Sequence, residues 1–574
     1  MTEDWMRALS MHAEEMRRAY PVDELVVVFD IDGTIIDTRH LVAHALLSFD
    51  RHRGTNHFRG ITPEDVVEHE TRVDGILDAF PLPEEVRRQA RAWYLRWIRD
   101  PRAIGAAHLP YQGVMSVIRW FQLQPRTHVA LNTGRPEAMR AMTLASLNAL
   151  GRQHRVVFEP SLLFMCRAEF AEDVGAAKVD ALRRLHLDGY RVMAAVDNEP
   201  SMIRAMADAD ETGEVLFLHA DTIFASRRER TPRTVSGSAY GLTGLIDEAE
   251  VGRRVTLVWH GVNGSSNLRR FIASGIRWAE LDIRRDPLGQ LVLRHDSFLE
   301  TPWARGEELM ALRDCLDVLR REGRSVKLDL KEGGEVIEEV LELVRSLGFR
   351  DKELWFNASI ENVGPRGFSR LREGRPGAIR QCPIDFLVPL FSAAPEQAHQ
   401  VLRVLRASGV GRASLDWRTP GGRMLLDVLE GLGWEINLYG VPDLGSFLEA
   451  ALLLPTSLTA DFNFPEWHYH GTGPGQDVAR RRSDAGEVRD CSRSASDVSD
   501  AARRDPLGSH RRGSSGRPGD PGAPSGTAGG GARRAQEVAR GAGGMVGRAL
   551  GEANPPGRPS DAAGHGRGDG AAMF

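Results

Sequence analysis

Short apolar runs, many of them closing on an acidic or amide side chain, recur along most of this chain and constrain its fold more than any other feature. A strand with one wet face alternates apolar and polar residues, whereas near-continuous apolar runs belong to strands buried on both faces, as in parallel sheets covered by helices. The clearest early examples are LVVVFD at 25–30, HVALN at 128–132 and VMAAVD at 192–197. Helical patterns separate them, which predicts a Rossmann-like doubly wound α/β domain up to about residue 235. In such sheets the polar residues that end the strands gather at one edge, where ligands bind. Residues 38–110, rich in Arg, Glu and Trp, form a helical insertion too long for a loop, read as a cap over that edge.

A second alternation starts beyond a Ser/Gly/Thr-rich joint, the linker at 236–252. Strand candidates are VTLVWH (255–260), WAELDI (278–283), LVLRHD (291–296), SVKLDLK (325–331), ELWFNASI (353–360), AIRQCPI (378–384), RASLDW (412–417), EINLYG (435–440) and SLTADF (457–462). Helical segments such as GEELMALRDCLDVLRREG and PEQAHQVLRVLRASG intervene. About eight such units within 253–470 predict a (β/α)8 TIM-type barrel, one candidate strand being accessory. A second doubly wound domain would give a less regular series. From Gly471 onward Gly, Ala, Arg, Ser and Pro dominate, so residues 471–574 are read as a disordered, low-complexity tail. Its sudden onset also fits a shifted reading frame in a GC-rich gene.

Composition narrows the classes further. With 574 residues, 42% hydrophobic content and a net charge of −5, the chain has material for globular cores and no excess of cations for a polyanion. Nucleic acid and anionic membranes are disfavoured as partners. No stretch approaches the roughly 20 apolar residues of a membrane span, and the N-terminus reads as an amphipathic helix, so a cytoplasmic protein is expected. Cys166, Cys315, Cys382 and Cys491 are isolated, which argues against structural zinc and a disulfide framework. Of the 74 basic residues only Lys178, Lys327, Lys331 and Lys352 are lysine. In so arginine-rich a chain, a retained lysine hints that a compact amine is wanted where a planar guanidinium does not serve.

The first chemical constellation begins at Asp30-Ile31-Asp32-Gly33-Thr34, directly after an apolar strand. Carboxylates at i and i+2 of an extended segment face the same way, and Gly33 permits a close turn around a ligand. Thr133 and Gly134 follow the second strand in NTGRP, Lys178 opens a later helix, and Asp197 closes the third strand in VDNEP. This order resembles the haloacid-dehalogenase superfamily of phosphohydrolases over nearly all of residues 20–225. The resemblance implies Asp30 as the nucleophile that forms an aspartyl-phosphate, Asp32 as general acid and base, and Thr133, Gly134 and Lys178 as phosphate-binding residues. It further implies Mg²⁺ held by Asp30, Asp197 and the main-chain oxygen of Asp32. Asp32 argues against a dehalogenase, which has no leaving oxygen to protonate, and the lack of a D-K-T-G run argues against a transport ATPase. Asn198 and Glu199 stand where an acid pair is often found.

The second constellation is His260-Gly261, Glu280-Leu281-Asp282, His295-Asp296 and Asp329-Leu330-Lys331 on successive strands. Each i, i+2 pair can point into a barrel near its catalytic rim, where three carboxylates, a lysine and two histidines suit metal-assisted phosphodiester chemistry. The arrangement resembles glycerophosphodiester phosphodiesterases and the wider phospholipase-C-like barrels. WHGVNGSSNLRRFIASGIRWAELDI, with KLDLK, WFNASI and SLDWRT, is similar to the related menorin family over about 255–465. By that resemblance Glu280, Asp282 and Asp329 bind Mg²⁺ or Ca²⁺, Lys331 meets the phosphate, and His260 and His295 are the acid/base pair. Asn357, Asp416, Trp417, Arg418, Asn437 and Asp461 fall near strand ends and could line the pocket. Two departures stand out: Gly261-Val262-Asn263 replaces the Arg that usually follows the first His, and Asp329 stands where Glu is usual.

Together these readings describe a bifunctional phosphoester hydrolase acting on small phosphorylated substrates. In a sequential scheme the barrel cleaves a phosphodiester and the first domain removes the phosphate left on the product. The alternative is a phosphatase whose barrel is a non-catalytic binding module. A further one is action on nucleic-acid ends with the arginine-rich tail as tether. Oligomeric state is not readable from the chain.

Overall fold

The computed structural model describes residues 4–98, 100–167, 173–222, 234–304 and 306–464. The stretch read as a tail lies outside them. The first part of the chain builds a six-stranded sheet from β1 (Glu24–Phe29), β2 (Thr127–Pro136), β3 (Leu163–Cys166), β4 (Tyr190–Asp197), β5 (Leu216–Ala220) and β6 (Val235–Gly237). Its order is β3-β2-β1-β4-β5-β6, and every pairing is parallel. Leu25 to Phe29 are all buried, the pattern of a central strand with helices on both faces. From β1 the chain first adds strands on one side and then crosses to β4 on the other. The carboxyl ends of β1, β2 and β4 therefore border the switch-point crevice, where open α/β sheets bind ligands. Phe29 is in register with Leu131 on one neighbour and Val196 on the other, so Asp30, Asn132 and Asp197 lie at one level.

Between β1 and β2 the chain inserts helices Thr38–Arg53, Val73–Asp78, Glu84–Trp97 and Pro101–Ala107. They have a core of their own around Phe49, Phe58, Leu77, Ala90 and Tyr94. Helix Trp5–Ala19 precedes the sheet and buries Trp5, Met6, Leu9, Ala13 and Met16, spaced as one helical face. The connecting residues 236–252 are packed: Tyr240, Leu242, Leu245 and Ile246 are buried. The Tyr240 hydroxyl donates to Thr34 O at 2.8 Å, and the Trp5 indole donates to Ala239 O at 2.7 Å. Gly113, at φ 85°, passes so close that a Cβ there would lie 2.3 Å from Tyr240 O.

The second sheet closes on itself. β7 (Thr256–Trp259), β8 (Trp278–Arg285), β10 (Ser325–Leu330), β11 (Leu354–Asn357), β12 (Ile379–Pro383), β13 (Arg412–Asp416), β14 (Glu435–Tyr439) and β15 (Ser457–Ala460) pair in parallel around an eight-stranded barrel. β9 (Leu291–Leu293) is the accessory strand, antiparallel to β8 and outside the ring. Alternation sends Lys327, Gln381, Ser414, Asn437, Ser457 and Thr459 inward, and all are buried. They are satisfied largely by one another: Asn437 bonds Ser414, Ser457 and Thr459, and Lys327 Nζ donates to Thr459 at 3.2 Å. A barrel centre of this kind is held by hydrogen bonds more than by branched aliphatic packing, and its register is specified by them.

Both sheets belong to one compact unit, whose described residues lie within 4–388 and 405–464. Residues 389–404 fall in a second unit. They are helical, within Val388–Ala393 and Pro395–Ala407, and Phe391 meets His399 edge-on at 5.7 Å.

Candidate active sites

Asp30 follows β1, and its amide donates to Val196 O at 2.9 Å, which anchors the turn to the neighbouring strand. Gly33, at φ 80°, lets the chain reverse so that its amide reaches Ile36 O at 2.9 Å. Lys178, on helix Val174–Leu187, places its ammonium 2.8 Å from Asp30 Oδ1 and 2.5 Å from Asp197 Oδ2. All three side chains are buried. Burial pushes the Asp30 carboxyl up despite the lysine, with the Asp197 charge adding to the effect. Burial works against the Lys178 ammonium, but the two carboxylates outweigh it and raise the amine further.

Asp32 is gripped bidentately by Arg135, with both N–O distances 2.6 Å. Burial opposes ionisation of Asp32, yet the guanidinium wins and holds the carboxyl below its usual range. Arg135 is itself fixed by Thr143 Oγ1 at 3.2 Å and His108 Nε2 at 3.1 Å. Because Arg135 donates, His108 Nε2 must be unprotonated. Accordingly burial, and then the Arg135 charge, push this imidazole down to about 4. Thr133 lies buried on β2, and its hydroxyl accepts from Arg135 N at 3.2 Å; Gly134 follows it, its missing Cβ 3.2 Å from Val174.

The insertion reaches this edge through His69 and Glu70. His69 Nε2 lies 3.2 Å from Glu199 and 3.5 Å from Glu70. Burial opposes the imidazolium, but the bond to Glu199 and the Glu70 charge raise it to about 9. Glu199 in turn donates its amide to Asp197 Oδ1 at 2.9 Å. Asn198, with its amide nitrogen turned inward, donates to Asp32 O at 3.0 Å and Asp30 Oδ2 at 3.3 Å. One donor thus bridges an Asp30 carboxylate oxygen and the Asp32 carbonyl.

In the barrel, Glu280 and Asp282 on β8 and Asp329 on β10 bring carboxylate oxygens within 4.8 Å of one another, all three buried. It is the one such group among the described residues. The register explains it, since Asp282 and Asp329 are directly paired across β8 and β10. Lys331 Nζ lies 2.9 Å from Asp282 and 2.6 Å from Asp329. Glu280 accepts from Gly261 N at 2.8 Å, Asp282 from Asn263 Nδ2 at 2.5 Å, and Asp329 from Asn357 Nδ2 at 2.8 Å. Oxygen donors this closely grouped fit a hard divalent cation. Burial raises the Glu280 carboxyl, and the nearby Asp282 charge adds to it. His260 Nδ1 meets Asp461 Oδ1 at 2.6 Å, and Nε2 lies 3.7 Å from Glu280. Glu280 and, after the cost of burial, Asp461 lift this imidazole to about 9.

Of the residues singled out in the sequence, the structure gathers Asp30, Lys178 and Asp197 in one cluster, with Asp32 two residues beyond Asp30. Glu280, Asp282, Asp329, Lys331 and His260 form another. His295 stands apart: its ring is 65% exposed and pairs with Asp296 at 2.8 Å. Sequence reasoning missed Arg135, His108, His69 and Glu70. Arg135 carried a usable signal, being two residues after Thr133 on an extended strand and so on its face. The two histidines and Glu70 carried none, since only the fold of the insertion brings them to the crevice.

No family model and no curated protein matches the chain. Solved structures that do match include both phosphodiesterase barrels and haloacid-dehalogenase-like hydrolases. An Oleispira antarctica phosphodiesterase in complex with the product sn-glycerol-3-phosphate is 15% identical, over 37% of this chain and 94% of its own, with a TM-score of 0.29. A glycerophosphodiester phosphodiesterase from Agrobacterium tumefaciens is 19% identical, over 36% and 96%, at 0.25. A CbbY variant from Rhodobacter sphaeroides, in complex with xylulose-(1,5)bisphosphate, is 14% identical, over 39% and 99%, at 0.26.

Proposed function

We propose that this chain is a phosphoester hydrolase with two active sites, a phosphomonoesterase at the edge of the first sheet and a metal-dependent phosphodiesterase at the barrel mouth. The observation that carries the reading is the Asp30–Lys178–Asp197 cluster with Asp32 two residues beyond the first carboxylate.

At the first site Asp30 attacks phosphorus, forming an aspartyl-phosphate as the bond to the leaving alcohol breaks. Asp32 gives that alcohol its proton. Water then attacks the aspartyl-phosphate, its proton passes to Asp32, and Asp30 is released. Lys178 and Thr133 hold the phosphoryl oxygens. Because Arg135 keeps Asp32 ionised, this ion pair has to loosen before Asp32 can carry a proton. Asp30, Asp197 and Asp32 O would hold Mg²⁺, which when bound would offset the negative charge that an anionic nucleophile meets at a phosphate.

In the barrel Glu280, Asp282 and Asp329 would hold Mg²⁺ or Ca²⁺, which polarises a phosphodiester oxygen when bound. Lys331 faces the phosphate. His260, held protonated by Glu280 and Asp461, is set to give a proton to the leaving oxygen, and His295 is the partner base in this reading.

The test is hydrolysis of an aryl phosphomonoester and the matching diester by the full chain with Mg²⁺ or Ca²⁺, beside Asp30→Asn and His260→Ala. Monoester turnover lost only in Asp30→Asn and diester turnover lost only in His260→Ala is the expected result. Absence of both activities in the parent protein would overturn the proposal; monoester activity alone would leave the barrel as a binding module.

A further inference from the structure

We propose that Glu70 reads the leaving alcohol at the Asp30 site, so that the substrates are phosphomonoesters of alcohols rich in hydroxyl or ammonium donors and not those bearing a second anion. The inference rests on the phosphomonoesterase reading above and adds the substrate class to it.

The position of Glu70 is fixed by the insertion. Its carbonyl accepts from the buried Tyr94 hydroxyl at 2.8 Å, and its carboxylate accepts from Thr38 Oγ1 at 3.1 Å. Its side chain is 16% exposed, so it is confined yet open to a ligand. The neighbouring His69 ties the same segment to Glu199 at 3.2 Å, and Glu199 is bonded to Asp197. Glu70 also lies within electrostatic reach of Asp32 and Arg135.

In-line attack puts Asp30 and the leaving oxygen on opposite sides of phosphorus, and Asp32 must lie beside that oxygen to protonate it. Carbon atoms of the alcohol therefore extend past Asp32, toward the insertion and Glu70.

The charges around this space are unequal. Asp32 is matched by Arg135, Asp30 and Asp197 share Lys178, and Glu199 has His69. Glu70 shares the same Nε2 of that imidazole at a longer 3.5 Å, and otherwise accepts from the Thr38 hydroxyl and its own amide. Its free lone pairs invite donors, and its charge repels a second phosphate or a carboxylate. The Tyr111 hydroxyl nearby makes no well-formed hydrogen bond, its nearest candidate being Thr222. It gives a hydroxyl-bearing alcohol a second partner.

The experiment compares kcat/KM of the full chain on glycerol 3-phosphate, phosphoethanolamine, 3-phosphoglycerate and p-nitrophenyl phosphate, in the parent, Glu70→Gln and Glu70→Lys. Glycerol 3-phosphate and phosphoethanolamine should exceed 3-phosphoglycerate by about tenfold or more in the parent protein, a typical return for charge and hydrogen-bond discrimination. Glu70→Gln should shrink that ratio, and Glu70→Lys should turn it toward 3-phosphoglycerate. A parent enzyme that prefers 3-phosphoglycerate, or a ratio that neither variant moves, overturns the inference whether or not each variant folds well. Aryl ester hydrolysis without any donor preference breaks this inference alone, whereas no aryl ester hydrolysis with any divalent cation breaks the underlying reading.

Discussion

In the first sheet and in the barrel alike, a lysine amine lies between two buried carboxylates at the carboxyl ends of parallel strands. Lys178 spans Asp30 and Asp197, and Lys331 spans Asp282 and Asp329. The enclosures differ. Lys178 is 4% exposed under a helical insertion, while Lys331 is 16% exposed and His260, beside Glu280, 42%. The same electrostatic arrangement thus serves a sealed site and an open one. The first gathers its groups from strands, a helix and the insertion, whereas the second has its carboxylates placed by the register of β8 and β10.

The sharpest way to separate the two regions is Asp30→Asn. Loss of the nucleophile should lower monoester turnover by about 10⁴-fold or more, with diester turnover and the circular dichroism spectrum unchanged. A fall in both activities would mean that the sites are not independent. In the barrel, Asp282→Asn should weaken divalent-cation binding by about 100-fold, at least as much as loss of a ligand's supporting partner does. Calorimetric titration of Mg²⁺ and Ca²⁺ measures this, and unchanged binding would remove the metal from the barrel half of the comparison.

Arg135→Met tests the sealed site through stability. Removing one partner of a buried ion pair costs about 3–5 kcal/mol, so the variant should unfold earlier in urea at pH 7. Asp32 has its carboxyl depressed in the fold, so its contribution is present above the ordinary carboxylate range and is lost as pH falls through the folded value. The gap between parent and variant should therefore close in acid. Equal midpoints at pH 7 would show that Asp32 is not held by this pair.

His69 and His260, one in each region, are both raised to about 9. A raised imidazole contributes stability that is complete below about 6.5, its unperturbed value, and fades as pH rises through the folded value. Proton NMR should find both rings charged at pH 7.5, and Asp461→Asn should lower the His260 midpoint alone. A His260 midpoint near 6.5 would deny the open site its proton donor. The smallest effect is expected at Lys352, which is exposed and belongs to neither site. Lys352→Ala should shift stability by less than about 0.5 kcal/mol and leave both activities intact in the same assays.

The lysine pattern shows how much could be read in advance. Three of the four lysines, Lys178, Lys327 and Lys331, are buried or clamped by carboxylates, and only Lys352 is on the surface. The pairs Glu280/Asp282 and Asp329/Lys331 were visible because alternation along a strand alone puts each on one face. The two fold classes, a parallel sheet and a barrel, followed from apolar runs and intervening helices. Arg135 and His108 are joined across residues far apart in sequence, and Glu70 reaches the crevice only through the path of the insertion. Such contacts are decided by packing between elements, which periodicity does not encode. The barrel's hydrogen-bonded centre was hidden for the same reason, since Ser414, Ser457 and Thr459 read individually as ordinary strand residues, and Asn437, expected to line the pocket, is spent on bonding them.

The packed joint between the sheets carries a consequence for how this chain can be divided. Tyr240 lies beyond the last strand of the first sheet, yet its hydroxyl supports Thr34 in the turn that follows Asp30, and its ring rests on Trp5 at 4.9 Å. A protease or a recombination event that cuts just after residue 235 would take away a piece of the first catalytic centre along with the second. Inheritance as two freely exchangeable halves is therefore disfavoured, and a natural boundary falls only after Ile246, ahead of the helix Glu248–Arg254 that buries Val251.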